Sequence, residues 1–396
     1  MNPSQETCLE SKTAFVDKAG LRWDDGKSAL HSADFFIFNH IYSLPGGGLM
    51  KAVYLENAVK LVTEEVSMPD CGDDEAVVRV EACGICRTDM KCYFQGQRDL
   101  KMPRILGHEI AGIVLAAGKN VTGIEPGSHV QVYPGLSCGS CRYCRQGFDN
   151  LCEHLAIMGF NHDGGFSAYL KIPAKSLQAG GLNQIPGGLS LTEATMTEPL
   201  ACCINMLEAV EIRAGDNLLI FGAGRFGLLI AMLARLKGAG RIMLTEPDPR
   251  RRTAARELGF DLCFDPHDPH LKERISCCSG NQGVDLAITC TPLPDALTRA
   301  MQLLNKKGRL GFFSGLVGPE SSKNADLNLI HYKELTVKGA YGCSLRHNRA
   351  ALALLGAGAI DAGKLITREI SINELREGLL MVKNQAELSV VVTQFE

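Results

Sequence analysis

The chain has 396 residues, 45% of them hydrophobic and 21% charged, and its formal net charge is -3. These values are ordinary for a globular protein of two or three domains, and the nearly neutral charge argues against nucleic acid or a membrane surface as a partner. No apolar run reaches the roughly 18 residues of a transmembrane helix. The sixteen cysteines are too widely spread for a small disulfide scaffold, which favours metal ligands and reduced thiols in a cytoplasmic protein.

The first 49 residues differ in texture from the rest and contain no clear periodic element. Met50 begins "MKAVYLE", which reads as a protein start followed by a strand, and "GGG" precedes it. A purine-rich ribosome-binding site read in frame would encode such glycines. We therefore expect residues 1–49 to be an untranslated upstream extension of the reading frame, with a disordered N-terminal arm as the alternative.

The remaining chain divides into three stretches. Residues 50–199 contain short strands between Gly and Pro turns, such as "AVVRVEACGIC" and "GSHVQVYP", which predicts a β-rich domain. Residues 200–339 alternate strands with helices, as in "NLLIFGAG" followed by "FGLLIAMLARLKGA", and this predicts a doubly wound parallel sheet. Residues 340–396 lose the alternation and are predicted to return to the first domain. The fold class is therefore α/β.

The glycines Gly222, Gly224 and Gly227 form G-x-G-x-x-G between a predicted strand and a predicted helix. In that context the motif is typical of a dinucleotide site, with the pyrophosphate at the helix N-terminus. Glu246 closes the next strand, where a carboxylate binds the adenosine ribose diol and repels a 2′-phosphate. We expect NAD to be the cofactor, with Phe226 inside the motif as a further contact.

The sequence "PDPRRR" is the evidence against NAD. Arg250, Arg251 and Arg252 could bind the phosphate of NADP, and they also suit the exposed start of a helix. Arg251 could instead stack on the adenine. Because Glu246 is present, we favour NAD and count Arg251 among the cofactor contacts.

A Cys-rich lobe at residues 136–155 carries Cys138, Cys141, Cys144 and Cys152 with the spacing C-x2-C-x2-C-x7-C. Four thiolates this close suit one tetrahedral zinc ion in a closed shell, which serves structure rather than chemistry. An iron–sulfur cluster is the alternative. Coincidental core cysteines are disfavoured because the intervening "RQGFDN" is polar.

Taken in order, "CGICRTD", "GHEIAG", the four-Cys lobe, "EPLACCIN", "FGAGRFG" and "ELTVKGAYG" resemble the zinc-dependent medium-chain dehydrogenases/reductases, the alcohol dehydrogenase superfamily. The sorbitol (polyol) and threonine dehydrogenase branch is the most similar, and the resemblance covers about residues 50–396. It implies a GroES-like β-rich catalytic domain plus a doubly wound Rossmann NAD-binding domain, with the active site in the cleft between them.

The resemblance also implies a catalytic zinc held by Cys86 and His108. Glu109 is a ligand or lies just outside the shell, and Glu198 of "TEPL" binds zinc directly or through its water. Thiolate, imidazole and carboxylate suit Zn²⁺, and an open position polarises a substrate oxygen. Thr88 is expected to lie beside Cys86 in an extended segment and to accept the alcohol proton, with simple strand packing as the alternative.

Lys91 stands where many members of the family carry a histidine that finishes a proton relay. Three interpretations remain open: a solvated surface charge, a relay lysine of depressed pKa, or a contact to an anionic substrate or the cofactor. Arg98, Arg104 and Arg346 are further cations that could reach the cleft. Lys91 and Arg346 are taken as the candidate substrate contacts.

The predicted function is hydride transfer from a secondary alcohol to NAD⁺. The alcohol is a polyol, a sugar derivative or a hydroxylated acid. The alternatives are an NADPH-dependent zinc aldehyde or ketone reductase and a catalytically silent NAD-binding relative. The resemblance further implies two zinc ions per subunit and a homo-oligomer, tetramer or dimer. A zinc-ribbon nucleic-acid binder is disfavoured, because the net charge is acidic and no basic aromatic patch is present.

Overall fold

The computed structural model describes residues 48–315 and 326–396, and the described residues belong to one compact unit. The prediction that residues 1–49 are an upstream extension falls, apart from Gly48 and Leu49, outside the described residues. Within the described ranges, no helix combines the length and the apolar character needed to cross a bilayer.

The first part of the chain is built mainly from short strands. They are β1 (Leu49–Asn57), β2 (Lys60–Ser67), β3 (Ala76–Ile85), β4 (Arg104–Ile105), β5 (Glu109–Ala117), β6 (His129–Val132), β7 (Gly135–Leu136), β8 (Ala156–Ile157), β9 (Tyr169–Ile172) and β10 (Leu182–Gln184). Its helices are α1 (Arg87–Gln95), α2 (Arg142–Arg145), α3 (Ala174–Ala179) and α4 (Leu191–Ala194).

The main sheet of this part places β3 beside β5 in antiparallel register, with Gly84 opposite Glu109. Both strands are rich in Val, Ile and Ala and are mostly buried, because the core covers them. The register brings the end of β3, just before Cys86, beside the start of β5, just after His108. Two residues 22 positions apart in sequence thus reach the same place.

The second part alternates helices and strands. They are α5 (Thr197–Ala209), β11 (Leu218–Phe221), α6 (Arg225–Leu236), β12 (Ile242–Thr245), α7 (Pro249–Glu257), β13 (Cys263–Phe264), α8 (Leu271–Cys278), β14 (Val284–Thr289), α9 (Pro294–Leu303), β15 (Leu304–Phe312), α10 (Leu327–Lys333) and β16 (Thr336–Gly339). The strands pair in parallel in the order β13-β12-β11-β14-β15-β16. The order reverses between β11 and β14, and ligands bind at such a switch point in open parallel sheets.

The last segment contains α11 (Leu345–Gly356), β17 (Arg368–Ser371), α12 (Leu375–Lys383) and β18 (Val390–Gln394). Strand β18 pairs antiparallel with β3, Val390 opposite Ile85, and in parallel with β17. The C-terminal strands therefore extend the sheet of the first part.

Helix α9 ends at Leu303 and β15 begins at Leu304, and Lys307 within β15 has a positive φ of 61° that no helix accepts. One local expectation was wrong. Thr88 lies in the first turn of α1 rather than in an extended segment. The Asp89 side chain accepts the Cys86 backbone N–H at 2.8 Å and so starts this helix.

Candidate active site

The four-Cys lobe brings its sulfur atoms together. The Sγ of Cys144 lies 3.9 Å from that of Cys138 and 3.5 Å from that of Cys141, and the four ligand atoms lie within 4.8 Å of one another. A tetrahedral zinc with Zn–S bonds of about 2.3 Å requires S–S edges of about 3.8 Å. Backbone N–H groups of Ser140 and Cys141 point at the Cys138 sulfur and lower its pKa to about 5. The lobe therefore fits a closed zinc shell.

A second cluster of donors lies where β3 and β5 meet. Ligand atoms of Cys86, His108 and Glu109 lie within 4.8 Å of one another, and all three residues are buried. Soft thiolate, imidazole and carboxylate form a donor set that suits Zn²⁺. Three of the four residues that the sequence assigned to the catalytic metal are thus brought together by the strand register, and the fourth, Glu198, is not in this group.

Asp89 braces both halves of this cluster. It is fully buried, and its carboxylate accepts the backbone N–H groups of Cys86 and Gly107 at 2.8 and 3.2 Å. One of its oxygens also lies 3.3 Å from His108 Nδ1. Burial alone would lower the pKa of His108, but the Asp89 carboxylate outweighs it and the pKa is raised well above its usual value. A carboxylate behind a ligand imidazole fixes the ring orientation.

Glu109 is held from the other side of the cleft. Arg225, the first residue of α6 inside the glycine motif, donates to both Glu109 oxygens at 2.8 and 2.6 Å. The side chains are only 7% and 1% exposed, so this is a buried bidentate ion pair. Burial would lower the pKa of Arg225, but Glu109 outweighs it and the pKa is raised. The charge of Glu109 is therefore already balanced by the protein.

Glu198 lies in a neighbouring cluster rather than in the same one. Its Oε1 accepts the Cys202 thiol at 3.2 Å, and Glu198, Cys202 and Cys343 have ligand atoms within 4.8 Å of one another. Burial raises the pKa of the Glu198 carboxyl. Within the described residues it has no ion-pair partner, unlike Glu109. The sequence did not single out Cys202 or Cys343 as neighbours of this acid.

Two adjoining cavities meet at these clusters. The first, about 580 Å³, is lined by Cys86, Thr88, His108 and Glu198 among others. The second, about 600 Å³, is lined by the glycine motif, Glu246 and Arg251. Side chains of Arg87, Phe226, Cys290 and Pro292 line both cavities. Thr88 Oγ1 lies 3.7 Å from Cys86 Sγ, so the predicted proximity is present although the predicted extended backbone is not.

The glycine motif has the tight geometry that its residues predict. Gly222 has φ of 107°, which other residues rarely adopt, and a Cβ on Gly227 would lie 1.9 Å from the Gly222 carbonyl oxygen. Glu246 accepts the backbone N–H groups of Ala223 at 2.9 Å and Asp248 at 3.1 Å. Each carboxylate oxygen keeps a free lone pair, which leaves room for a ribose diol.

Arg250, Arg251 and Arg252, which follow Glu246, have different partners. Arg250 pairs with Asp248, and Arg252 donates to the backbone carbonyl oxygens of Glu246 and Pro247. Among these arginines, Arg251 alone lines the second cavity, where carbonyl oxygens at 385 and 387 hold its guanidinium at 3.2 Å.

Arg87 is a cation that the sequence reasoning missed. It lines both cavities, and burial lowers the pKa of its guanidinium. No ion pair or hydrogen bond of its side chain occurs within the described part of the chain. Its position directly after Cys86 was the available signal, because a cation beside a metal ligand at the strand end can reach a phosphate in the cleft.

The other candidate cations divide clearly. Lys91 and Arg98 line the first cavity, whereas Arg104 pairs with Asp163 at 2.7 Å outside it. Arg346 is not brought into the cavity either. It lies in the first turn of α11 and forms a bidentate pair with Glu208 of α5, at 3.1 and 2.8 Å. The substrate contact that the sequence analysis predicted for Arg346 is therefore not supported by its position.

Comparison with known proteins agrees with this geometry. Residues 72–180 match the family described as alcohol dehydrogenase GroES-like domain, and residues 226–357 match zinc-binding dehydrogenase. The chain belongs to the zinc-dependent medium-chain dehydrogenase/reductase family. This membership confirms the predicted fold class and makes the protein a zinc-dependent oxidoreductase.

Individual relatives of this dehydrogenase family cover most of the chain. An L-threonine 3-dehydrogenase from Bacillus velezensis is 31% identical over 87% of this chain and 99% of its own. A sorbitol dehydrogenase from Halalkalibacterium halodurans is 30% identical over 84% and 95%. The solved structure of a zinc-binding dehydrogenase from Sinorhizobium meliloti bound to NADP has a TM-score of 0.79 and 33% identity, over 87% and 99%. The predicted branch of the family is thereby confirmed.

Proposed function

We propose that the protein oxidises a secondary alcohol to the carbonyl compound and passes the hydride to NAD⁺. The observation that carries this is the junction of the two cavities, with the metal-ligand cluster lining one and the glycine motif lining the other. Threonine and sorbitol, the substrates named for the two relatives, both carry a secondary hydroxyl group. That chemistry supports the substrate class without fixing the substrate.

For the catalytic metal we propose Cys86, His108 and Glu198 as ligands. Glu109 is neutralised by Arg225, whereas Glu198 is a buried carboxyl that forms no ion pair among the described residues, so a metal cation there would balance its charge. A zinc ion held by these residues would supply a Lewis acid for the alcohol oxygen. The four cysteines of the lobe would hold a second, structural zinc.

The chain's own residues then position and deprotonate the alcohol. Thr88 Oγ1 lies in the substrate cavity next to Cys86, and it accepts the hydroxyl proton while passing its own proton on toward solvent. Asp89 keeps His108 oriented, and Phe160 packs against the His108 ring at 5.1 Å and excludes water. The carbinol hydrogen is thereby directed toward the adjoining cofactor cavity.

For the cofactor, Glu246 favours NAD, although the Sinorhizobium meliloti relative was solved with NADP. Arg87, between the two cavities, suits the pyrophosphate, and Gly315 follows β15 at the nicotinamide end. The test is Glu246→Ala beside Glu257→Ala, an exposed acid on α7. The first variant should raise the kcat/KM ratio of NADP over NAD by more than tenfold and the second should not. A wild type that prefers NADP would instead favour the reductase alternative.

The function itself is tested with the zinc-loaded full chain. Secondary alcohols, including diols, hexitols and hydroxy acids, are offered with NAD or NADP while cofactor reduction is followed. The proposal expects zinc-dependent reduction of NAD with at least one class. If no alcohol reduces either cofactor, the carbonyl compounds are tested with NADPH, and inactivity in both directions would favour a silent cofactor-binding relative.

We also propose a cytoplasmic homo-oligomer, tetramer or dimer. Thirteen cysteines in the described ranges, Cys83, Cys202 and Cys290 among them, carry free thiols, as expected in a reducing compartment. Strand β16 ends its sheet with four exposed residues, and its outer edge pairs with no strand of the described ranges, which makes it a template for pairing with a second copy. Val337→Lys should therefore lower the mass measured by light scattering. A monomeric wild type would contradict the proposal.

A further inference from the structure

The first cavity has a mixed wall. Pro134, Leu155, Ile157, Phe160 and Phe313 form apolar parts of it. Its uncharged polar side chains are those of Thr88, Gln97, Tyr133, Asn150, Ser314 and Tyr341. Its cations are Arg87, Lys91 and Arg98, and a cation held in a partly enclosed wall favours an anionic group in the bound molecule.

Lys91 is the cation of this wall with the fewest partners apart from Arg87 among the described residues. It is half-buried, and within the described part of the chain its Nζ has a single hydrogen bond, to the carbonyl oxygen of Gly315 at 3.3 Å, and no carboxylate partner. Arg98 also lines the cavity, but both oxygens of Asp99 neutralise it at 3.0 and 2.8 Å. Lys91 thus brings to the substrate cavity a positive charge that no acid of residues 48–315 or 326–396 pairs with.

A second cation, Arg87, raises the electrostatic free energy of Lys91 in this cavity. Arg87 lies four residues before Lys91 on α1, hence on the same helix face. Burial and the Arg87 charge both lower the pKa of Lys91. Two partly buried cations that form no ion pair with a described acid repel each other, and a bound anion relieves that repulsion. The cofactor pyrophosphate can serve Arg87, but Lys91 does not line the cofactor cavity.

The position of Lys91 sets where its partner must lie. Residues three apart on a helix have Cβ atoms about 5–6 Å from each other. Thr88, which faces the reacting hydroxyl, and Lys91 have this spacing on α1. A group that contacts the ammonium while the hydroxyl contacts Thr88 is separated from the carbinol carbon by a few bonds.

We propose that Lys91 forms an anion subsite and that the substrate is a short secondary alcohol carrying a carboxylate or sulfonate a few bonds from its hydroxyl group. The assignment rests on the proposed function, because it presumes that the alcohol binds at Thr88. It separates this protein from relatives that act on neutral polyols.

The experiment compares matched alcohols on the zinc-loaded full chain with NAD. 3-Hydroxybutanoate is set against butane-1,3-diol, and 2-hydroxypropane-1-sulfonate against propane-1,2-diol, each as separate enantiomers. The variants are Lys91→Gln and Lys91→Arg, with Lys101→Gln as control because it removes the same charge from an exposed site outside the cavity. The readout is the ratio of kcat/KM for the anionic over the neutral alcohol.

The wild type should prefer one anionic alcohol by more than tenfold. Lys91→Gln should reduce that ratio at least tenfold, mainly through KM of the anion, while Lys91→Arg and Lys101→Gln should keep it within threefold. The pair of alcohols whose kcat/KM ratio exceeds ten, the carboxylate pair or the sulfonate pair, shows which anionic group the subsite binds. A wild type that prefers the neutral diols, or a Lys91→Gln ratio that does not change, overturns the anion subsite.

Binding provides a readout that does not depend on turnover. Butanoate and propane-1-sulfonate are titrated into the protein–NADH complex while NADH fluorescence is followed. Saturable binding that Lys91→Gln weakens tenfold supports the subsite even if no alcohol is oxidised, in which case the proposed function alone has failed. Absence of binding to the wild type, or equal binding to Lys91→Gln, argues against the subsite.

Discussion

The buried ion pair between Arg225 and Glu109 gives the sharpest test of the structure. Replacing Arg225 with Met keeps most of the side-chain volume but leaves the Glu109 carboxylate buried without its partner. Neither side chain can turn to solvent, since they are only 7% and 1% exposed. Breaking such a pair typically costs about 3–5 kcal/mol, most of it from the isolated charge.

The exposed pair of Arg346 with Glu208 supplies the matched control. It has the same bidentate geometry, but its side chains are 60% and 39% exposed. Surface pairs contribute only about 0–1 kcal/mol. Arg346→Met should therefore lower the free energy of unfolding far less than Arg225→Met, although both remove one guanidinium.

Urea unfolding of the zinc-loaded protein, followed by circular dichroism, measures these differences. The double variant Arg225→Met with Glu109→Gln removes both charges of the pair and should be more stable than Arg225→Met alone. Two results would contradict the buried pair. The first is a loss of less than about 1 kcal/mol in the free energy of unfolding of Arg225→Met. The second is a double variant whose loss equals the sum of the losses of Arg225→Met and Glu109→Gln measured separately.

Three further predictions concern the metal sites and the proton acceptor. Cys141→Ser should lower the zinc content from two ions per chain to one and lower the melting temperature, and an unchanged metal content would contradict the lobe as a zinc site. Asp89→Asn should weaken zinc binding at the catalytic site by about 10–100-fold in a chelator competition, because the imidazole loses its orienting charge. Thr88→Val should lower kcat by about 10²–10⁴ while NADH affinity stays constant, and Thr88→Ser should restore the rate. A Val variant as fast as the Ser variant would remove Thr88 from the proton path.

The features predicted best are those that nearby residues specify. The four cysteines lie within 15 positions, and the glycine motif within six, so chain spacing alone constrains their geometry. The strand–helix alternation of the second part is likewise a local pattern. These parts of the fold and site were therefore accessible from the sequence.

Other features depend on contacts between distant residues. Arg225 and Glu109 are 116 positions apart, and nothing in the glycine motif indicates that its arginine neutralises an acid of the metal cluster. Arg346 was assigned to the cleft from its place in the chain, but Glu208 on a neighbouring helix holds it. Pairings of this kind follow from how helices and sheets pack, which local patterns do not encode.

The shared wall of the two cavities has a thermodynamic consequence. Because Arg87, Phe226, Cys290 and Pro292 line both, whichever molecule binds first fixes side chains that the second must contact. The affinities are then linked, and the factor by which NAD changes the dissociation constant of the alcohol must equal the factor by which the alcohol changes that of NAD. NAD and the alcohol therefore each change the affinity of the protein for the other through these four shared side chains.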